Sequence, residues 1–130
     1  MEAAVDLIRV RREIAQAQSY FPNIVSYMAD DGRPYVRILL QTSQMNVYRV
    51  AIYFPDTYPN AMPTVYVTNP ALVSGTVHRY DAGNICYLLA AMWNPGRHTL
   101  TFVVEHAAKW LSKYEVWRAT GRWPGAEILH

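Results

Sequence analysis

Apolar residues recur along this chain with two periods, and the order of those periods lays out a fold. Between about residues 2 and 18, Leu7, Val10, Ile14 and Ala17 fall three and four positions apart, while Arg9, Arg12, Glu13 and Gln16 take the other faces. That spacing predicts an amphipathic helix. Phe21-Pro22-Asn23 ends it, because a proline pushes the residue before it out of helical geometry. The period then drops to two. Residues 23–29, 35–41 and 46–54 read as strands, separated by the turn segments Asp30-Asp31-Gly32-Arg33-Pro34 and Thr42-Ser43-Gln44-Met45. In the third strand Tyr48, Val50, Ile52 and Phe54 share one face and Arg49 lies on the other, as in a sheet with one covered face. Connections this short imply an antiparallel meander.

Pro55, Pro59 and Pro63 then interrupt the pattern. Proline donates nothing to a strand ladder, so this stretch is a stiff connection. Thr64 to Thr68 resumes as a fourth strand. Residues 69–98 show little periodicity, yet hold Tyr80, Ile85, Tyr87, Leu88, Leu89, Met92 and Trp93. So long a loop with that apolar weight is expected to be ordered and functional. A second helix starts near Thr99 or Thr101, either of which can cap it, and runs to about Arg118. Val103, Ala107, Trp110, Leu111 and Tyr114 form its stripe, expected to face the sheet, and Thr120-Gly121 supplies the stop. The tail, residues 119–130, leaves helical geometry at Arg122-Trp123-Pro124-Gly125. The expected class is α+β: N-terminal helix, four-stranded antiparallel meander, long loop, and C-terminal helix packed on the sheet. No repeat or linker divides the chain, so residues 1–130 read as one domain.

Composition narrows the function. Apolar residues make up 52% and charged residues 17%, a globular balance. The net charge is only +2, and the Arg9-Arg11-Arg12 cluster reads as a solvated helix face, so no nucleic-acid partner is expected. No stretch approaches the ~20 apolar residues of a membrane span. Met1-Glu2-Ala3-Ala4-Val5-Asp6 lacks the basic-then-apolar order of a signal peptide, and one cysteine suits a reducing compartment, so a cytoplasmic protein without membrane partners is expected. One cysteine and four scattered histidines show no metal-ligand spacing, and no glycine-rich phosphate loop is present; neither metal nor cofactor is expected.

The remaining chemistry centres on Cys86, in His78-Arg79-Tyr80-Asp81-Ala82-Gly83-Asn84-Ile85-Cys86-Tyr87-Leu88. A lone thiol in a polar loop is a candidate nucleophile, and also the kind of small apolar residue that packs. His78 could serve as a base or hold the loop. Asp81 and His98 are candidates to orient an amine, although loop polarity accounts for both. His106, beside the apolar stripe, reads as a satisfied structural histidine, and His130 as a disordered terminal residue.

Four segments in order carry a resemblance to the ubiquitin-conjugating enzyme superfamily. Tyr58-Pro59-Asn60-Ala61-Met62-Pro63 is similar to the family's Tyr-Pro-x-x-Pro-Pro segment. His78 stands where the His-Pro-Asn motif opens; Gly83-Asn84-Ile85-Cys86-Tyr87-Leu88 resembles the segment around the catalytic cysteine; and Trp93-Asn94-Pro95 matches the Trp-x-Pro after it. The resemblance covers roughly residues 2–118. Arg79 and Tyr80 replace the family's Pro and Asn, His78 lies two residues closer to the cysteine than usual, and the family's two C-terminal helices are missing. In this the chain resembles compact bacterial members from anti-phage defence and ubiquitin-like conjugation operons.

The resemblance implies a transferase. Cys86 would take the C-terminal glycine of a carrier protein as a thioester from an adenylating, activating enzyme and pass it to a target amine or lysine. The carrier would be a ubiquitin-like protein or, in a defence operon, a nucleotidyltransferase. Such a site must orient the thiol and stabilise an oxyanion, so Cys86 is expected to be exposed enough to meet a second protein. His78 takes the structural role, and Tyr80 or Asn84, with backbone amides near Cys86, would support the oxyanion. The chain's two lysines, Lys109 and Lys113, lie on the last helix, far in sequence from Cys86, as if to spare a loaded thioester from self-modification. Competing readings are a non-catalytic binding module of the same fold and a cysteine hydrolase pairing Cys86 with His78 or His98.

Overall fold

The computed structural model describes residues 5–125. Helix α1 spans Leu7–Tyr20, with Asp6 capping it through a 3.0 Å bond from the Arg9 amide. It thus runs two residues past the expected end, stopping at Tyr20, with Phe21, the residue before Pro22, as its C-cap. The strands are β1 (Val25–Met28), β2 (Pro34–Gln41), β3 (Val47–Tyr53) and β4 (Thr64–Asn69), and helix α2 spans Leu100–Thr120. All strand pairs are antiparallel, in the spatial order β1-β2-β3-β4. The α+β meander between two helices stands as expected.

One face of the sheet carries the core. Val36, Ile38, Leu40, Tyr48, Val50, Ile52 and Val65 pack into one cluster with Val10, Ile14 and Ala17 of α1 and with Val103, Ala107, Trp110, Leu111 and Tyr114 of α2. The stripes read from periodicity are therefore the buried faces. The other face of the sheet is wetter, and stacks Tyr27 on Tyr35 and Tyr35 on Tyr53.

Two buried carboxylates depart from the polar-outside pattern. Glu13, placed by periodicity on a solvent face, is only 3% exposed. It accepts bonds from the Tyr58 hydroxyl at 2.5 Å, the Leu100 amide at 2.8 Å and Arg9 Nε at 2.5 Å. A carboxylate from α1 thus occupies the N-terminus of α2, while Thr99 caps that helix only by position, its side chain making no capping bond. Arg9 likewise leaves the solvated cluster, its Nη2 reaching the Pro95 carbonyl at 2.6 Å. Near the other end of α2, Glu115 accepts from Thr42, Asn46 and Tyr48 and ties the β2–β3 turn to the helix. Burial alone would raise the Glu115 pKa; the bonds from Asn46, Thr42 and Tyr48 outweigh it and hold the group below its ordinary value. Gly121, left-handed at φ 77°, closes α2 as a C-terminal glycine does. The tail from residue 126, His130 included, lies outside the described residues.

Candidate functional site

The cysteine loop hangs from the free edge of β4. The Ile85 amide donates to the Val65 carbonyl at 2.9 Å, and Ile85 is buried. Around that anchor the chain folds into a small hairpin rather than an irregular loop. Arg79 and Ile85 form an antiparallel bridge, the Tyr80 amide donates to the Asn84 carbonyl at 2.9 Å, and the Cys86 amide to the His78 carbonyl at 2.9 Å. The turn at its tip needs Gly83, whose φ of 97° lies where a side chain is strained. Alternation along the hairpin sets Tyr80 and Cys86 on one face, and the Tyr80 hydroxyl donates to Cys86 Sγ at 3.2 Å. Sγ also lies 3.7 Å from the Leu88 carbonyl, within reach of a thiol proton.

His78 governs this arrangement through its backbone. It adopts a left-handed conformation, φ 55°, uncommon for a non-glycine residue. Its carbonyl accepts both the Cys86 amide and, at 3.2 Å, Trp110 Nε1 from α2. One carbonyl thereby fixes the thiol's backbone relative to the helix. The imidazole lies 4.6 Å from the Trp123 ring, and Trp123 in turn lies 5.3 Å from Trp110. The proline-rich connection supports the far side, its Pro63 and Pro59 carbonyls accepting Tyr87 Oη at 2.6 Å and Trp93 Nε1 at 2.8 Å.

The thiol sits in a cleft of about 330 Å³ lined by Cys86, His78, Met92, His106, Trp110 and Trp123, and by both lysines, Lys109 and Lys113. Two expectations change here. Cys86 is 7% exposed, so it lies on the floor of a cleft and not on an open loop. The lysines, remote in sequence, are brought to it because α2 packs across the hairpin. Tyr80, at 37% exposure, is the solvent-facing member of the pair. The hydrogen bond to Cys86, then burial, then the sulfur's charge push its pKa up to about 12. A protonated phenol aimed at sulfur can stabilise negative charge on it.

The other sequence candidates separate. Asn84 presents its carbonyl to Tyr80 and lines a neighbouring pocket with Met62, Pro63 and Ala90. His98 accepts the Asn94 amide on Nδ1 at 3.0 Å, stacks on Phe102 at 3.9 Å, and lines an adjacent pocket with Leu88 and Met92. Asp81 is exposed on the hairpin turn. His106 bonds the Phe102 carbonyl through Nδ1, and burial is the main cause that lowers its pKa. Trp110, Trp123 and the lysines are site residues that sequence reading missed. Lys109 and Lys113 flank Trp110 at the neighbouring and one-turn positions, a usable signal only once α2 is known to cross the cysteine. Among the described residues no cluster of three or more His, Cys, Asp or Glu side chains is placed to hold a metal ion, and no helix is long and apolar enough to cross a membrane.

An N-terminal helix, a four-stranded antiparallel meander and a C-terminal helix define a ubiquitin-conjugating-like fold. Solved structures agree on the fold. The chain is similar to a Vps23 UEV domain solved in complex with ubiquitin, with 16% identity, a TM-score of 0.62 and 84% of each chain covered. It is also similar to the yeast Vps23 UEV domain in complex with a Vps27 PSDP peptide, with 14% identity, a TM-score of 0.60, and 96% of this chain and 87% of that one covered. No curated protein matches it by sequence. The profile of the type II CBASS E2 proteins matches residues 13–130, and the chain belongs to that family, which serves anti-phage defence.

Proposed function

We propose that the protein is a cytoplasmic acyl-transfer enzyme in which Cys86 accepts the C-terminal glycine of a partner protein as a thioester and passes it to an amine. The observation that carries this reading is the Tyr80 hydroxyl donating to Cys86 Sγ at 3.2 Å in a cleft where the Cys86 backbone is tied to the His78 carbonyl. Cys86 gives up its proton and attacks the incoming thioester carbonyl as the thiolate; the C–S bond to the activating enzyme breaks, and the departing thiolate takes up a proton in its turn. Tyr80 donates to the sulfur and then to the tetrahedral oxyanion, the role open where the family's asparagine is replaced. His78 acts by positioning and Asn84 by holding the hairpin. The partners are an adenylating, activating enzyme as thioester donor, and a ubiquitin-like protein or a nucleotidyltransferase with a C-terminal glycine as the acyl group.

The test is incubation with an adenylating, activating enzyme of the type II CBASS kind and a carrier protein ending in glycine, with ATP, followed by a non-reducing gel. An adduct that disappears with reductant and in Cys86→Ala supports the reading. Carrier bound without any covalent adduct would instead support the second reading, a non-catalytic binding module. The burial of Cys86 and the exposed Val25, Tyr27, Leu39 and Val47 on the sheet favour that alternative, and UEV domains of this fold have been solved with ubiquitin and with a peptide.

A further inference from the structure

The two lysines of the chain are also the two amines that line the thiol cleft. Their placement is built, not incidental. His106, Lys109 and Lys113 fall three and four residues apart on α2, which sets them on one face, and all three line the cleft. Trp110, between them, is pinned to the His78 carbonyl that also holds the Cys86 amide, so the helix is in register with the thiol. Lys109 is exposed and Lys113 half-buried, so neither ammonium is locked in the core. Four-carbon stems let both amines sweep the cleft. Neither lysine forms a salt bridge among the described residues.

Resting on the thioester reading above, we propose that Lys109 and Lys113 are built-in acceptors, so that an acyl group loaded on Cys86 migrates within the same molecule to a lysine amine and ends as an amide. The lysine nitrogen, as the neutral amine, attacks the thioester carbonyl. The C–N bond forms, the C–S bond breaks, and Cys86 leaves as thiolate. The proton lost by the nitrogen passes through His106 or water and returns to the sulfur, so nothing beyond the loaded acyl group is consumed. His106 suits that relay because burial, above all, favours its neutral form, and Lys109 is among the charges acting on it. The product is a stable one-to-one conjugate of this protein with its cargo, resistant to reductant.

The probe is a synthetic acetyl-Ala-Ala-Gly-Gly peptide as its mercaptoethanesulfonate thioester, added to the full chain and followed by intact mass and peptide mapping. The expected course is a hydroxylamine-labile adduct on Cys86 that converts to a hydroxylamine-stable adduct on Lys109 or Lys113, with a first-order rate independent of protein concentration. Lys109→Arg with Lys113→Arg keeps the charge and the labile adduct while lowering the stable one at least tenfold; Cys86→Ala abolishes both. A labile Cys86 adduct that only hydrolyses, or conversion that scales with protein concentration, overturns the built-in acceptor and leaves the thioester reading standing. A stable lysine adduct that persists in Cys86→Ala also overturns it. No adduct on Cys86 at all removes both readings.

Discussion

Replacing Tyr80 by phenylalanine deletes one hydroxyl and keeps the ring, which lines the neighbouring pocket with Asn84. That hydroxyl donates to Cys86 Sγ at 3.2 Å. A hydrogen bond to a charged acceptor is worth about 1.5–3 kcal/mol. Tyr80 is 37% exposed, so water screens the interaction and about 1 kcal/mol is the reasonable share. Since 1.4 kcal/mol is a factor of ten, Tyr80→Phe should slow alkylation of Cys86 by iodoacetamide about 5-fold near neutral pH. The assay is the pseudo-first-order rate by intact mass between pH 6 and the alkaline plateau, with Cys86→Ala as the blank. A faster rate at every pH would mean that the hydroxyl only blocks access. Equal rates throughout would refute the claim that Tyr80 stabilises charge on sulfur.

The buried Glu13 joins α1, Tyr58 and the start of α2, and removing one member of a buried charged network costs about 3–5 kcal/mol. Glu13→Ala should therefore lower the stability read by urea unfolding by about that much, and Tyr58→Phe, which removes one bond to the carboxylate, by about 1.5–3 kcal/mol; a Tyr58→Phe loss larger than that of Glu13→Ala would contradict the carboxylate's central role. Glu115 has a folded pKa below its unfolded value, so its contribution is complete above the unfolded value of about 4.3 and is lost as pH falls through the folded one. Glu115→Gln should flatten that acid limb in a pH series of thermal melts, and an unchanged limb would assign the loss elsewhere. Trp123 walls the cleft against His78 and Trp110. Trp123→Ala should raise the Cys86 alkylation rate at every pH, plateau included; a rate unchanged at the plateau would show that this ring does not restrict access.

The elements were legible wherever periodicity carried them. The Val103–Tyr114 stripe and the alternation of β3 are the buried faces in the fold, because burial of a single face writes its own period into a helix or strand. Glu13 escaped because its partners are far away in sequence: Tyr58 and Leu100 lie 45 and 87 positions on. A carboxylate on an amphipathic helix looks solvent-facing until the elements that donate to it are placed. The cysteine motif marked the loop in which the Tyr80 hydroxyl meets Cys86 Sγ. It said nothing of depth, because the burial of Cys86 comes from α2 and Trp123, neither of which belongs to the motif. The same long-range packing hid Lys109 and Lys113, which are near the thiol in space only.

Depth changes what the thiol can do. An exposed thioester would meet whatever amine or water diffused to it, and its selectivity would rest on the partner. At the floor of a cleft walled by Met92, Trp110 and Trp123, bulk water is partly excluded and the amines lining the cleft gain the advantage of proximity, which raises effective concentration by orders of magnitude. The His78 carbonyl is what makes the geometry dependable. It accepts the Cys86 amide and the Trp110 indole at once, so any movement of α2 relative to the hairpin breaks a hydrogen bond at the cysteine. The lysines ride on that helix. Their distance from Cys86 is thus set by the same contact that holds the Cys86 backbone; under the proposed thioester chemistry, a substitution at Trp110 should alter loading and amide formation together, whereas one at Lys109 or Lys113 should alter only the second.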